Sequence, residues 1–418
     1  MRAGTHLWAC WAALWAVASI AGGTTPAHAT PLDQLIPNLF GGTFYTSITP
    51  FDVTDSQQPA VAGRFQGLSG ALASARSQAP IPSASGAFSF AWDSELDTFV
   101  RKPQSLGSML AERAPTLGRG TWTVSISYTR IKFDTLEGDS LDELETSQPT
   151  FTEGFLAGLP PADRVPASNS LLDTALNFRF ALDMIFLAAA YGVTDTIDVS
   201  MALAINHASM HGQALAFMRP KDPTKDSLGY FTVQQKGVII GGSGSCAADF
   251  TCAQDSFDGD AWGTGDLYLR GKWHFLDTEY ADLATVAVLT LPTGNADNYL
   301  GFHGPTFTPW LVASKTFGRL SPHLNLGYAF RDGQDVSQAQ WVAGADARAL
   351  DWLTLAADFL GYHDDKRDGI NDDVVQSALS FKLNPFDQVV VGGTVQFPLN
   401  RDGLRADVIY TAQIEYTF

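Results

Sequence analysis

The sequence lacks any long apolar run beyond its first thirty residues. The longest candidate, Phe178 to Tyr191, is broken by Arg179 and Asp183, which excludes a membrane-spanning helix of roughly twenty apolar residues. Cysteine is scarce, with three in 418 residues. Cys246 and Cys252 stand as an isolated pair in C-A-A-D-F-T-C. A zinc site would want two more thiolates or imidazoles at matching spacing. A small loop-closing disulfide between Cys246 and Cys252 is the simpler expectation for an exported chain. Basic residues are few, 26 Lys and Arg against 44 Asp and Glu. That balance argues against nucleic acid, whose affinity comes from neutralised phosphates. Catalytic constellations are missing as well. Ser243 in Gly-Gly-Ser-Gly-Ser has no strand–turn–helix around it, as a nucleophile elbow requires. The eight histidines are scattered. His207 and His211 are four apart at a strand-to-loop boundary, without a third ligand. The loop from His363 to Asp373 looks like a calcium loop, but Lys366 takes a ligand position and no Glu closes it. No catalytic residue, metal or cofactor is expected.

What is present begins with an export leader. Arg2 precedes an apolar run from Leu7 to Gly22 and the small-residue site Ala27-His28-Ala29, the pattern of a signal peptide cleaved before Thr30. At the other end, Arg405 to Phe418 alternates strictly. Tyr410, Ala412, Ile414, Tyr416 and Phe418 fall on one face, and Thr411, Gln413, Glu415 and Thr417 on the other. A soluble strand is usually about five or six residues, whereas a tilted bilayer-crossing strand needs roughly nine to eleven. Aromatic residues at both ends suit the girdles of a transmembrane barrel. A terminal strand ending in Phe resembles the closing strand that bacterial outer-membrane barrels present to their assembly machinery.

The same rhythm fills the chain from Trp122 onward. Trp122, Val124, Ile126 and Tyr128 alternate with Thr123, Ser125, Ser127 and Thr129, and Ile197 to Asn206 repeats the pattern. Further strands are predicted near Asp266–Phe275, Leu283–Leu291, Thr308–Phe317, His323–Phe330, Gln340–Arg348, Leu353–Leu360, Val374–Leu383 and Val389–Phe397. Short connections alternate with longer polar ones, and His207 to about Thr264 reads as a long loop. Short turns at one end and long loops at the other are the outer-membrane pattern. The fold class expected is therefore all-β: a transmembrane antiparallel up-and-down β-barrel with an N-terminal plug segment. Its strand count is about twelve, or about fourteen if a hairpin in Gly86–Val100 joins the wall. A soluble β-propeller or sandwich is the competing architecture. The domain reading is a leader over 1–29, a hatch and hairpin over 30–120 and a barrel over 121–418.

The hatch expectation rests on Leu32, Leu35, Ile36, Leu39, Phe40, Phe44 and Tyr45, too apolar for a solvated arm. The first five follow one face of a short helix. Leu32, Leu35, Ile36, Phe40, Phe44 and Tyr45 are the candidate contacts for a hydrophobic ligand. Alternation assigns Arg179, Asp183, Asp198, Arg270, Asp346 and Asp358 to the lumen, either as a polar pore lining or as a paired network. No ring of one sign appears among them.

Several stretches in one order resemble a known family. They are Tyr191-Gly-Val-Thr-Asp-Thr-Ile-Asp-Val-Ser200, Gly263-Thr-Gly-Asp-Leu-Tyr-Leu-Arg270, Leu289-Thr-Leu-Pro-Thr-Gly294, and Ser314-Lys-Thr-Phe-Gly318 with His323-Leu-Asn-Leu-Gly-Tyr328. Together they look like the outer-membrane proteins of phenol meta-cleavage pathways, which are similar to fatty-acid and aromatic-hydrocarbon transporters. The resemblance implies a plugged barrel in the bacterial outer membrane, in contact with its lipid, admitting hydrophobic or aromatic small molecules passively. A non-transporting structural or adhesive barrel is the alternative. An outer-membrane lipase would need a serine with a histidine partner.

Overall fold

A computed structural model describes residues 30–36, 39, 44–45, 71–72, 76–78, 90–93, 98–101, 105–149, 153–158, 161–225, 232–235, 238–240, 252–331, 335–365, 373–386 and 388–418. The leader, Phe40, Ser243 and Cys246 lie outside these residues, and with Cys246 the expected disulfide.

Twelve strands close into a barrel. They are β1 (Trp122–Phe133), β2 (Ser170–Gly192), β3 (Ile197–Pro220) and β4 (Cys252–Asp277); then β5 (Asp282–Leu291), β6 (Thr306–Ser314), β7 (Leu320–Arg331) and β8 (Gln338–Leu350); and β9 (Leu353–Asp364), β10 (Asp373–Phe386), β11 (Val389–Pro398) and β12 (Ile409–Thr417). Each pairs antiparallel with the next, and β12 closes on β1 from Ile409↔Ile131 to Thr417↔Thr123. Trp122 and Phe418 exchange two backbone hydrogen bonds of 2.8 Å at the seam. Closure leaves no unpaired edge, which hydrocarbon would penalise heavily. The hairpin Phe90–Asp93 with Thr98–Arg101 forms its own two-stranded sheet, which settles the wall at twelve.

The outer face explains why these residues take these positions. On β12, Tyr410, Ile414 and Tyr416 are exposed while Thr411, Gln413, Glu415 and Thr417 are buried. Around the barrel, Val124, Ile126, Val199, Leu311, Leu324 and Leu355 also point outward and are exposed. At the short-turn end the band is edged by Trp122, Trp273, Phe317, Trp352, Phe386 and Phe418. At the other end Tyr128, Trp262, Phe307, Phe330 and Tyr410 edge it. An apolar belt between two aromatic girdles is what a barrel presents to a bilayer. No helix among the described residues is long and apolar enough to cross a membrane.

Strands β2, β3 and β4 run 23, 24 and 26 residues, about twice what a bilayer crossing takes. Where β1 ends, the upper part of β2 pairs instead with an extra strand, Leu144–Pro149. The expected long loop from His207 to Thr264 is strand at both of its ends: β3 continues to Pro220 and β4 begins at Cys252. Beyond the girdle the alternation changes sign. Arg130, Arg179 and Asp258 face outward into water, while Ile131, Phe133, Phe178, Phe180 and Phe257 are buried. On β4 a bulge between Thr264 and Leu267 shifts the register, which turns the other set of residues inward on each side of it.

Arg179 and Asp183, expected in the lumen, therefore lie on the outer face. Asp183 accepts hydrogen bonds from the Tyr128 hydroxyl at 2.5 Å and from Arg130 at 3.3 Å, and His207 Nδ1 lies 3.4 Å from it. Arg179 sits 3.8 Å from Asp142. Period two places a residue on one of two faces but does not say which face is wet. Above the membrane both faces can take polar or apolar side chains, and here packing against the mouth won.

Candidate functional site

Two groups of residues enter the lumen, and the first lies near the short-turn end. Ser105 to Leu117 crosses the lumen without regular structure, and its backbone is satisfied by side chains of the wall. Leu106 N–H donates to Thr354 Oγ1 at 2.9 Å, Glu112 N–H to Asn325 Oδ1 at 2.9 Å, Ala114 N–H to Ser314 Oγ at 3.0 Å and Leu117 N–H to Asp198 Oδ2 at 3.0 Å. Carbonyls are served too: Asn325 Nδ2 donates to Glu112 O and Lys272 Nζ to Pro115 O, both at 2.9 Å. A buried coil has no ladder of its own, so each N–H and C=O must find a partner elsewhere. Inward-facing Thr, Ser, Asn, Asp and Lys residues supply them here.

Beneath this segment His323 sits fully buried between two carboxylates. Its Nε2 is 2.6 Å from Asp358 Oδ1 and its Nδ1 is 3.5 Å from Asp346 Oδ2. Each carboxylate also accepts from the crossing segment, Asp358 from Ser108 Oγ at 2.7 Å and Asp346 from Ser105 Oγ. Arg113 donates to Ser105 O at 2.9 Å. Glu112 pairs with Arg270 at 3.3 Å and lies 3.8 Å from Lys272. Four of the six expected lumen residues, Asp198, Arg270, Asp346 and Asp358, thus point inward and tie this inner segment to the wall.

The second group lies toward the long-loop end. The connection after β5 folds inward, with Tyr299, Leu300 and Phe302 buried. Asn206 Nδ2 holds Leu300 O at 2.7 Å, and the Tyr299 ring meets Phe180 edge-on at 5.4 Å. Asp266, fully buried, accepts from Gly294 N–H at 3.1 Å and Phe302 N–H at 2.9 Å. The N-terminal segment joins this cap. Leu32, Ile36, Leu39 and Leu72 are buried in one apolar cluster with Phe133, Phe178 and Phe180, and Leu32 N–H donates to Asn298 Oδ1 at 3.0 Å. Leu32 and Leu35 press on Gly259, where a Cβ would stand 2.6 Å from Leu32 Cδ2. Neighbouring Asp33 is partly buried, and the loss of hydration raises its pKa above the ordinary 3.8. Arg76 forms a buried ion pair with Asp266 at 3.1 Å.

Between the two groups lies a cavity of about 180 Å3. Its walls include Phe186, Tyr268, Val288, Trp310, Val342, Tyr362 and, at the end of β7, Arg331; Leu110 and Glu112 line it from the inner segment, and Arg76 and Phe302 from the cap. Trp310 lies flat because Gly327 opposite has no side chain; a Cβ there would stand 2.5 Å from the indole.

Of the hydrophobic-contact candidates, Leu32, Leu35 and Ile36 pack in the cap but do not line the cavity. Phe44–Tyr45 form a short strand beside Thr232–Gln235. The lining residues Arg76, Glu112, Phe302, Trp310 and Arg331 were not singled out by the sequence. Their one shared signal is a large or charged side chain amid small and β-branched ones.

The girdled belt and the closed ladder define the class: this is a transmembrane β-barrel of the bacterial outer-membrane type. By sequence the chain matches no family model, and no curated protein resembles it significantly. By structure it is similar to an outer membrane channel from Pseudomonas putida F1, at 13% identity and a TM-score of 0.42, covering 73% of this chain and 98% of that one. It is also similar to the NanC porin, at 8% and 0.35, covering 69% and 98%. The CymD monoaromatic hydrocarbon channel matches at 10% and 0.33, covering 72% and 88%. Likenesses this distant carry no argument by themselves, and the assignment rests on the wall.

Proposed function

We propose that the protein is an outer-membrane channel for passive uptake of hydrophobic or aromatic small molecules. The observation that carries this reading is the lumenal cavity of about 180 Å3, lined by aromatic and aliphatic side chains together with a few charged ones. An apolar cavity of roughly 150 Å3 suffices to hold benzene, so one ring fits. A general porin would instead leave a continuous water-filled lumen. The resemblance of its turn and strand motifs to phenol-pathway outer-membrane proteins points the same way. A non-transporting structural barrel is favoured only by the paired charges around His323, which would serve a static core equally well.

Two assays on the full-length protein decide between these readings. Proteoliposomes should not swell in sugars, while cells expressing the protein should take up a labelled monoaromatic faster than cells lacking it. Rapid sugar-driven swelling would make it an open porin. Equal aromatic uptake with and without the protein would leave the structural barrel.

A further inference from the structure

The cavity's outer end is cationic and incompletely hydrogen-bonded. Arg76 and Arg331 both stack on the Phe302 ring, their guanidinium carbons 4.4 and 4.5 Å from its centroid. Arg76 has a carboxylate partner in Asp266. Arg331 has neutral partners: its NH1 donates to Val336 O at 2.9 Å, and its NH2 to Ser77 Oγ and Gln338 Oε1, both at 2.8 Å. Among the described residues no carboxylate lies within ion-pair distance of Arg331. Asp364 and Asp335 act on it only at longer range. Four buried polar atoms on the lining have no hydrogen-bond partner among the described residues; Arg270 Nε belongs to the side chain that pairs with Glu112, and the other three, Arg76 Nε, Arg331 Nε and Thr306 Oγ1, lie together at the outer end. Thr306 stands directly across the ladder from Arg331, and Ser77, which Arg331 holds, adjoins Arg76 in the chain.

Leaving a buried donor unmet is unfavourable, more so when it is charged. A buried cation without a counterion is costlier still unless something else supplies one. Three unmet groups at one end of an aromatic-walled cavity specify an occupant with a matching end. We propose that the cavity binds a single-ring aromatic carboxylate. Its ring packs among Phe186, Val288, Trp310 and Val342, and its carboxylate accepts from Arg76 and Arg331, with Thr306 completing the set. A cavity of about 180 Å3 exceeds what benzene needs by little more than a small substituent, which matches a ring bearing one acidic group. This names the substrate class for the cavity and rests on the uptake reading above.

The test uses the purified full-length protein in detergent, with tryptophan fluorescence and calorimetry reporting binding of benzoate, its neutral isostere benzamide, and toluene. Benzoate should bind at least roughly tenfold more tightly than benzamide, as expected for hydrogen bonds to a charged group. Arg331→Met should bring that ratio to near one. If Arg331→Met does not fold, as judged by heat-modifiable gel mobility, Thr306→Val serves instead and should shrink the ratio severalfold. A ratio near one in the wild-type protein overturns the proposal, as does a ratio that survives Arg331→Met. Toluene binding without benzoate binding would overturn the proposal while leaving the uptake reading intact. Absence of binding by all three, together with unchanged aromatic uptake by cells, would overturn both.

Discussion

Asn325 is the most informative single point of attachment for the inner segment. It faces the lumen from β7, is buried, and grips Glu112 twice, accepting from its N–H and donating to its C=O, each at 2.9 Å. Asn325→Ala removes both bonds and leaves two backbone groups unmet, at about 1–3 kcal/mol each. Water entering the space left by the amide recovers part of that cost. The net loss should then be about 2–4 kcal/mol of docking energy, which raises the undocked population roughly thirty- to several-hundredfold. The wall is untouched, so the variant should still assemble and show heat-modifiable mobility on gels. Hydrogen exchange read by mass spectrometry should accelerate across Ser105–Leu117 but not in β7, and planar-bilayer recordings should show more frequent openings. Unchanged exchange in that segment would mean its backbone is not anchored as the hydrogen bonds imply. Faster exchange with unchanged conductance would mean the segment does not occlude the lumen.

Three further outcomes are expected. Leu203 points outward and buried Ala202 inward, so Leu203→Arg should cost about 2–4 kcal/mol in urea unfolding from lipid, and Ala202→Arg distinctly less; equal costs would refute the assigned faces. Deleting residues 30–82 removes the Leu32, Ile36 and Leu72 packing and the Arg76–Asp266 pair, yet spares every wall strand; the truncated chain should fold and conduct ions more than the intact one, and unchanged conductance would show that this segment does not close the mouth. Asp222 is held down to about 2 by the Thr224 hydroxyl, the Thr224 N–H and Lys225. A depressed carboxylate stabilises its turn above the ordinary value near 3.8, and that contribution is lost as pH falls through 2. Thr224→Val should raise the Asp222 titration seen by carboxyl NMR, and an unmoved midpoint would refute the assignment.

By itself the sequence determined the wall. Strict alternation in Trp122–Thr129, Ile197–Asn206 and Tyr410–Phe418 is a local property, because period two follows from strand geometry alone. Alternating short and long connections then fixed an even barrel in a membrane. The tertiary structure decided everything that depends on which residues meet across the lumen. It put Arg179 and Asp183 outside, since alternation cannot tell water from lumen once a strand leaves the bilayer. It kept the Phe90–Arg101 hairpin out of the wall, because pairing partners are chosen in space. It also assembled the cavity from Arg76, Phe302, Trp310 and Arg331, far apart in the chain and without a common spacing. The inner segment was the least legible part. Ser105–Leu117 has no period of its own, because its backbone is satisfied by Asp198, Ser314, Asn325 and Thr354 rather than by its neighbours in sequence.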